Sequence, residues 1–93
     1  MVLFIGSMYE IVMTEKVVNA LQKIPKPDVD KFFRKLDIIA KDPYAPMSFV
    51  KRLKSSQNFR FRFGDYRSVY NVGNQILTIT VIDVAHRNEI YRR

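Results

Sequence analysis

Ninety-three residues are enough chain for one hydrophobic core and too few for two, so residues 1–93 read as a single domain. The absence of cysteine and the presence of one histidine exclude a disulfide scaffold, a Cys-based zinc site, a thiol nucleophile and a histidine-rich metal cluster. Sixteen Lys+Arg against nine Asp+Glu give a net charge of +7, a balance that suits nucleic acid, an anionic membrane surface or an acidic protein partner.

The apolar start, Met1–Ile5, ends at Gly6 and Ser7. A membrane-spanning helix needs roughly 20 apolar residues, and a signal peptide needs a basic flank before its apolar region. No membrane partner is expected, and the chain reads as cytoplasmic. Met8–Met13 (MYEIVM) alternates loosely and predicts a strand. Thr14 is placed to cap a helix, and Val17, Leu21 and Ile24 then recur at helical spacing until Pro25 and Pro27. A second helix opens near Pro27 or Asp28. Its apolar stripe is Val29, Phe32, Phe33, Leu36, Ile39 and Ala40, with Lys31, Arg34, Lys35 and Asp37 on the other side, and it stops at Asp42-Pro43.

From Tyr44 to Asn58 the composition is that of a loop, with a short strand admissible at Phe49–Leu53. The period then changes to two. Phe59–Phe63 (FRFRF) predicts one strand, Gly64-Asp65 a turn, Tyr66–Val72 a second strand, Gly73-Asn74 a second turn, and Gln75–Val84 a third strand. The fold class is α+β in the order β-α-α-β-β-β. A helical hairpin packs on one face of a small, mainly antiparallel sheet, with room for a short C-terminal helix after the last strand.

Two-residue turns would pair Phe63 with Tyr66, Arg62 with Arg67, Tyr70 with Leu77 and Tyr66 with Val81. Paired residues share a face. Phe59, Phe61, Phe63, Tyr66, Tyr70, Leu77, Ile79 and Val81 then lie under the helices. Arg60, Arg62 and Arg67 gather on the other face beside Val69, Asn71, Ile76, Thr78, Thr80 and Ile82. Like charges placed opposite one another destabilise a sheet by up to about 1 kcal/mol, which a bound anion offsets.

The chemistry open to that face is narrow. Asp65 falls in a turn and Asp83 on the opposite parity, so a carboxylate–metal nuclease is poorly supported. Ser55, Ser56 and Ser68 lack a base and a third partner, and Gly6, Gly64 and Gly73 are too scattered to cradle a phosphate. No metal and no cofactor is expected. A metal-free ribonuclease fits better, because RNA carries its own nucleophile, the 2′-OH. The protein must align it, neutralise the phosphorane and move two protons. Arginine suits the charge and not the proton transfer. The candidates for proton transfer are His86, Tyr91 and Lys54.

The runs Phe59–Tyr70 (FRFRFGDYRSVY) and Val81–Tyr91 (VIDVAHRNEIY), with Lys51-Arg52-Leu53 and Asp42-Pro43 upstream, resemble the RelE/ParE superfamily of bacterial and archaeal toxins. The resemblance covers about residues 8–93. Met1–Ser7 precedes the usual start and reads either as a misassigned start or as an additional strand segment. The RelE branch implies a toxin of a type II toxin–antitoxin system. Such toxins cut mRNA in the ribosomal A site by metal-free 2′-OH attack, leaving a 2′,3′-cyclic phosphate or a 3′-phosphate. Its partners would be the ribosome, mRNA and an acidic, RelB-like antitoxin.

By position, Arg67 matches the arginine that stabilises the scissile phosphate, Arg87 the arginine after the last strand, and Tyr91 the tyrosine that orients base or nucleophile. Arg60 and Arg62 stand where well-studied members carry lysines, one of them the favoured general base. Proton removal then falls to Tyr91, His86 or a water. Arg60, Arg62, Lys51 and Arg52 are left to hold RNA phosphates. The alternatives are a ParE-like toxin that inhibits DNA gyrase without cutting nucleic acid, and an inactive RelE-like protein that only binds an antitoxin.

Overall fold

The computed structural model describes residues 2–5, 9–53, 57–73 and 77–86. Strands β1 (Val2–Ile5) and β2 (Glu10–Met13) lead into helices α1 (Glu15–Leu21) and α2 (Lys26–Lys41). Strands β3 (Val50–Arg52), β4 (Phe59–Phe63), β5 (Tyr66–Gly73) and β6 (Thr78–His86) follow. All six strands form one sheet in the order β1-β2-β6-β5-β4-β3, in which β2 runs parallel to β6 and the other neighbours are antiparallel. The α+β class and the helix-on-sheet layering match the sequence reading. The N-terminal segment adds an edge strand.

Local chemistry accounts for the helix limits. Thr14 Oγ1 accepts the Val17 N–H at 3.3 Å and caps α1. Pro25 and Pro27 flank the first residue of α2, where missing N–H groups cost nothing. That helix starts at Lys26, one residue earlier than Pro27. Asp28 in its first turn and Lys41 in its last complement the helix dipole. Among the described residues no helix is long and apolar enough to cross a membrane.

The two helices bury their stripes on one face of the sheet. Val17, Leu21, Phe32, Leu36 and Ile39 meet Ile11, Met13, Phe61, Phe63, Tyr70, Ile79 and Val81 in one core. Phe32 is its hub, with ring centroids 5.7 Å from Phe61 and 5.0 Å from Phe63. Burial holds the Tyr70 phenol well above the ordinary tyrosine range, so it stays neutral. Phe33 and Ile38, assigned to the stripe and to neither side respectively, remain exposed.

The turn at Gly64-Asp65 pairs Phe63 with Tyr66 and Arg62 with Arg67, as the alternation requires. Gly64 has φ +60°, a conformation that side chains rarely adopt, so the turn needs glycine there; it lies against the Asp28 side chain of α2. The second turn differs from the sequence reading. Gly73 pairs with Thr78, and Tyr70 pairs with Val81 rather than Leu77. The displacement is even, so Ile79 and Val81 still face the helices. Leu77 instead precedes β6 with φ 47° and is 42% exposed.

A bulge between Val69 and Tyr70 then makes the displacement odd. Tyr66 pairs with His86 and Ser68 with Val84. Val84 therefore enters the core, and Asp83, paired with Val69, belongs by register to the arginine face, contrary to the parity expected for it.

Phe61 is 1% exposed at the centre of this core. Phe61→Ala should lower unfolding free energy by about 3–5 kcal/mol in urea titrations. Tyr44→Ala, at a residue 56% exposed, should stay within about 0.5 kcal/mol.

Candidate functional site

Strand β4 outruns β3. Val50, Lys51 and Arg52 pair with Phe61, Arg60 and Phe59, so Arg62 and Phe63 lie beyond the last β3 partner. A sheet edge left this way presents backbone groups that need other partners. Lys35 supplies one: from α2 its Nζ donates to the Arg62 carbonyl oxygen at 2.6 Å. The same ammonium lies 5.3 Å from the Phe49 ring centroid.

The corner between α2, the chain before β3 and the exposed length of β4 encloses a cavity of about 330 Å³. Its walls are Lys35, Ser48, Phe49, Lys51, Arg60, Phe61, Arg62 and Arg67. Five of these carry positive charge, and no acid lines the cavity among the described residues. The volume is at the lower end of small-ligand sites.

Each cation arrives there for a stated reason. Lys51 opposes Arg60 across β3–β4, and Arg62 opposes Arg67 across β4–β5. Paired residues project to one side, so both pairs stand on the face away from the helices. Arg67 is only 5% exposed, whereas Arg62 and Lys51 are open to solvent. A guanidinium so enclosed acts on an anion with less screening by water than a surface one. It also stays protonated under all ordinary conditions. For Lys35, burial first, then the charges of Lys31 and Arg62, hold the pKa below the ordinary lysine value. Such a cluster of cations can hold an anion with several oxygens.

The remaining residues singled out from the sequence are distributed as follows. Arg60, Arg62, Arg67 and Lys51 come together in the cavity. Arg52 pairs with Phe59 on the helix side and sits 5.9 Å from that ring, lining a separate hollow with Pro43 and Tyr44. His86 packs edge-on against Tyr66, centroids 5.4 Å apart, beside Lys16 and Lys23 on the α1 side of the sheet. Asp83 lies 3.3 Å from Lys16 Nζ. Lys54, Arg87 and Tyr91 fall outside the described residues. Lys35 is the cavity residue that pattern reading missed. The helical pattern places it on the solvent side of α2, and only the short reach of β3 relative to β4 signals that a helix side chain covers the edge.

A family model described as the ParE toxin of the type II toxin–antitoxin system, parDE, matches residues 11–91. The chain belongs to this family. A curated relative from Escherichia coli, a RelE-like toxin protein, is 26% identical over 85 residues, covering 89% of this chain and 90% of the relative. A chain in the crystal structure of the archaeal RelE–RelB complex from Pyrococcus horikoshii OT3 is 30% identical. It superposes with a TM-score of 0.75 over 86% of this chain and 96% of its own length. A chain of the RelB–RelE antitoxin–toxin complex from Methanococcus jannaschii, 20% identical with a TM-score of 0.71, shares the fold over 87% of this chain and 95% of its own. This protein is therefore a type II toxin of the RelE/ParE superfamily, and its five-cation cavity includes residues of the strands that carry the superfamily-like FRFRFGDYR run.

The toxin's affinity for a polyanion should carry the signature of this face. Arg60→Ala should reduce the slope of log K against log salt for single-stranded RNA by about 0.7. Arg52→Ala, on the other face, should leave the slope near that of the parent. Fluorescence titrations at a series of salt concentrations would measure both.

Proposed function

We propose that this toxin is a metal-independent endoribonuclease that cuts mRNA on the ribosome and so arrests translation. The observation that carries the reading is the near-buried Arg67 in a cavity otherwise walled by Lys35, Lys51, Arg60 and Arg62. Such a cavity fits a phosphodiester whose charge grows during reaction. In-line attack by the 2′-OH turns a singly charged phosphate into a more highly charged phosphorane, and preorganised donors at that point lower the barrier. Arg67 takes this role, and Arg87 shares it by its position after the last strand. Tyr91 orients the nucleotide. Arg60, Arg62 and Lys51 hold flanking phosphates.

Arg60, Arg62 and Arg67 stay protonated and cannot act as bases, so proton removal from the 2′-OH is left to Tyr91 or a water. Alignment must then supply much of the rate. Holding reactants in line is worth about 7–11 kcal/mol relative to free encounter, and the ribosome provides that alignment by presenting mRNA in one geometry. The reading implies fast cleavage of translated mRNA, slow cleavage of naked RNA, and action in the cytoplasm.

A host must keep such a face covered. The proposed partner is an acidic, RelB-like antitoxin that wraps the domain with a helix and an extended segment. The RelE–RelB complexes among the structural relatives, and the charge of +7, support it. The ParE description of the matching family model favours a second reading, in which the toxin binds and stalls DNA gyrase without cutting RNA.

Arg67→Ala separates the two. Loss of one oxyanion donor costs about 100- to 1000-fold in rate. The variant should fold, still associate with ribosomes, and no longer arrest growth or cut mRNA. Growth arrest by the variant with cut mRNA would remove Arg67 from the site. Arrest by the parent with intact mRNA and inhibited gyrase would establish the second reading.

A further inference from the structure

We propose that Lys35 is the general acid of the cleavage reaction, giving its proton to the 5′-oxygen as the scissile bond breaks; this assignment rests on the ribonuclease reading above. The Arg62 carbonyl has no β3 partner, and the Lys35 Nζ–H donates to it at 2.6 Å. The Phe49 ring flanks the ammonium on another side. These two contacts hold the end of a long, otherwise mobile side chain at the cavity wall. An ammonium has three N–H bonds, and the Arg62 carbonyl uses one of them. The other donors remain for a group inside the cavity that Lys35 lines together with Arg67.

Chemistry distinguishes Lys35 from its neighbours. Arg60, Arg62 and Arg67 do not release protons in a protein. Lys51 lines the same cavity but is exposed, on the short outer strand β3. Lys35 is half-buried and faces Lys31 on its own helix and Arg62 on β4; Lys51 and Arg60 complete the cationic wall. Burial and like charges make its ammonium a stronger acid than a free lysine.

The 2′-oxygen bonds to phosphorus, and its proton passes to water. The bond from phosphorus to the 5′-oxygen breaks, and its electron pair stays on that oxygen. The oxygen takes a proton from Lys35 Nζ and leaves as a 5′-hydroxyl. The neutral amine regains a proton from water, and the upstream fragment ends in a 2′,3′-cyclic phosphate.

A sulfur atom in place of the 5′-bridging oxygen tests the role. A thiolate leaves as an anion and needs no acid. Ribosomes would be programmed with mRNA carrying either oxygen or sulfur at the cut position, and single-turnover rates measured for the parent, Lys35→Gln and Lys35→Arg. Loss of a general acid typically costs about 100- to 10,000-fold. Both variants should be slowed by that order on the oxygen substrate and run close to the parent on the sulfur substrate.

Lys35→Arg keeps the charge and the donors, so its deficit on oxygen isolates proton transfer from binding. The ratio of the two rates within one variant does not depend on how much of it is folded. Variants equally slow on both substrates would overturn the assignment, as would variants at the parental rate on oxygen. A parent that cuts neither substrate would overturn the ribonuclease reading itself, and that outcome is visible without any variant.

Discussion

The antiparallel pairing of β4 with β5 across Gly64-Asp65 is the constraint on which core and site both depend. Phe63 faces Tyr66, and Arg62 faces Arg67. Because neighbouring side chains point to opposite sides of a strand, this register sends Phe61 and Phe63 under Phe32 and sends Arg60, Arg62 and Arg67 to the other side. A slip of one residue would bury guanidiniums among phenylalanines. The hydrophobic cost of that slip therefore holds the cationic cluster in place. Gly64, at φ +60°, makes the turn of the same hairpin and lies against the Asp28 side chain at the start of α2.

The site itself grows from a mismatch in strand length. Had β3 continued along β4, its backbone would have satisfied the Arg62 carbonyl and filled the corner. It begins instead at Val50, opposite Phe61. The open edge admits Lys35 from the helix layer, and the cavity joins side chains from α2, β3, β4 and β5. Clustering five cations opposes folding electrostatically. The aromatic core beneath opposes that cost, and so would any polyanion or acidic protein that covers the face.

Much of this was legible in the sequence, for physical reasons that differ by element. FRFRF states its period in five residues, and GDYR supplies a turn with a glycine where φ must be positive, so the hairpin and its two faces could be read directly. The stripe along α2 and the Thr14 cap were equally plain. The course of β6 was not. Its TITVIDVAH run is apolar enough to tolerate a bulge without exposing a long apolar stretch, and only pairing with β5 reveals that Asp83 and Val84 exchange faces. Lys35 was invisible because its place depends on how far β3 extends, a tertiary quantity. His86 is a proton-transfer candidate by residue type alone, yet its ring lies against Tyr66 beside α1, away from the cationic cavity.

The most direct measurement replaces one atom of the RNA. Ribosome-bound mRNA would be prepared with a single 2′-deoxynucleotide immediately 5′ of the scissile phosphate and incubated with the toxin, beside the all-ribose control. If the cavity stabilises attack by the neighbouring 2′-OH, the control is cut to a 2′,3′-cyclic phosphate and a 5′-hydroxyl end, and the deoxy-substituted mRNA stays intact at that position. Cleavage at the deoxy position would contradict 2′-OH attack, and an intact control under growth-arresting conditions would contradict the ribonuclease account altogether.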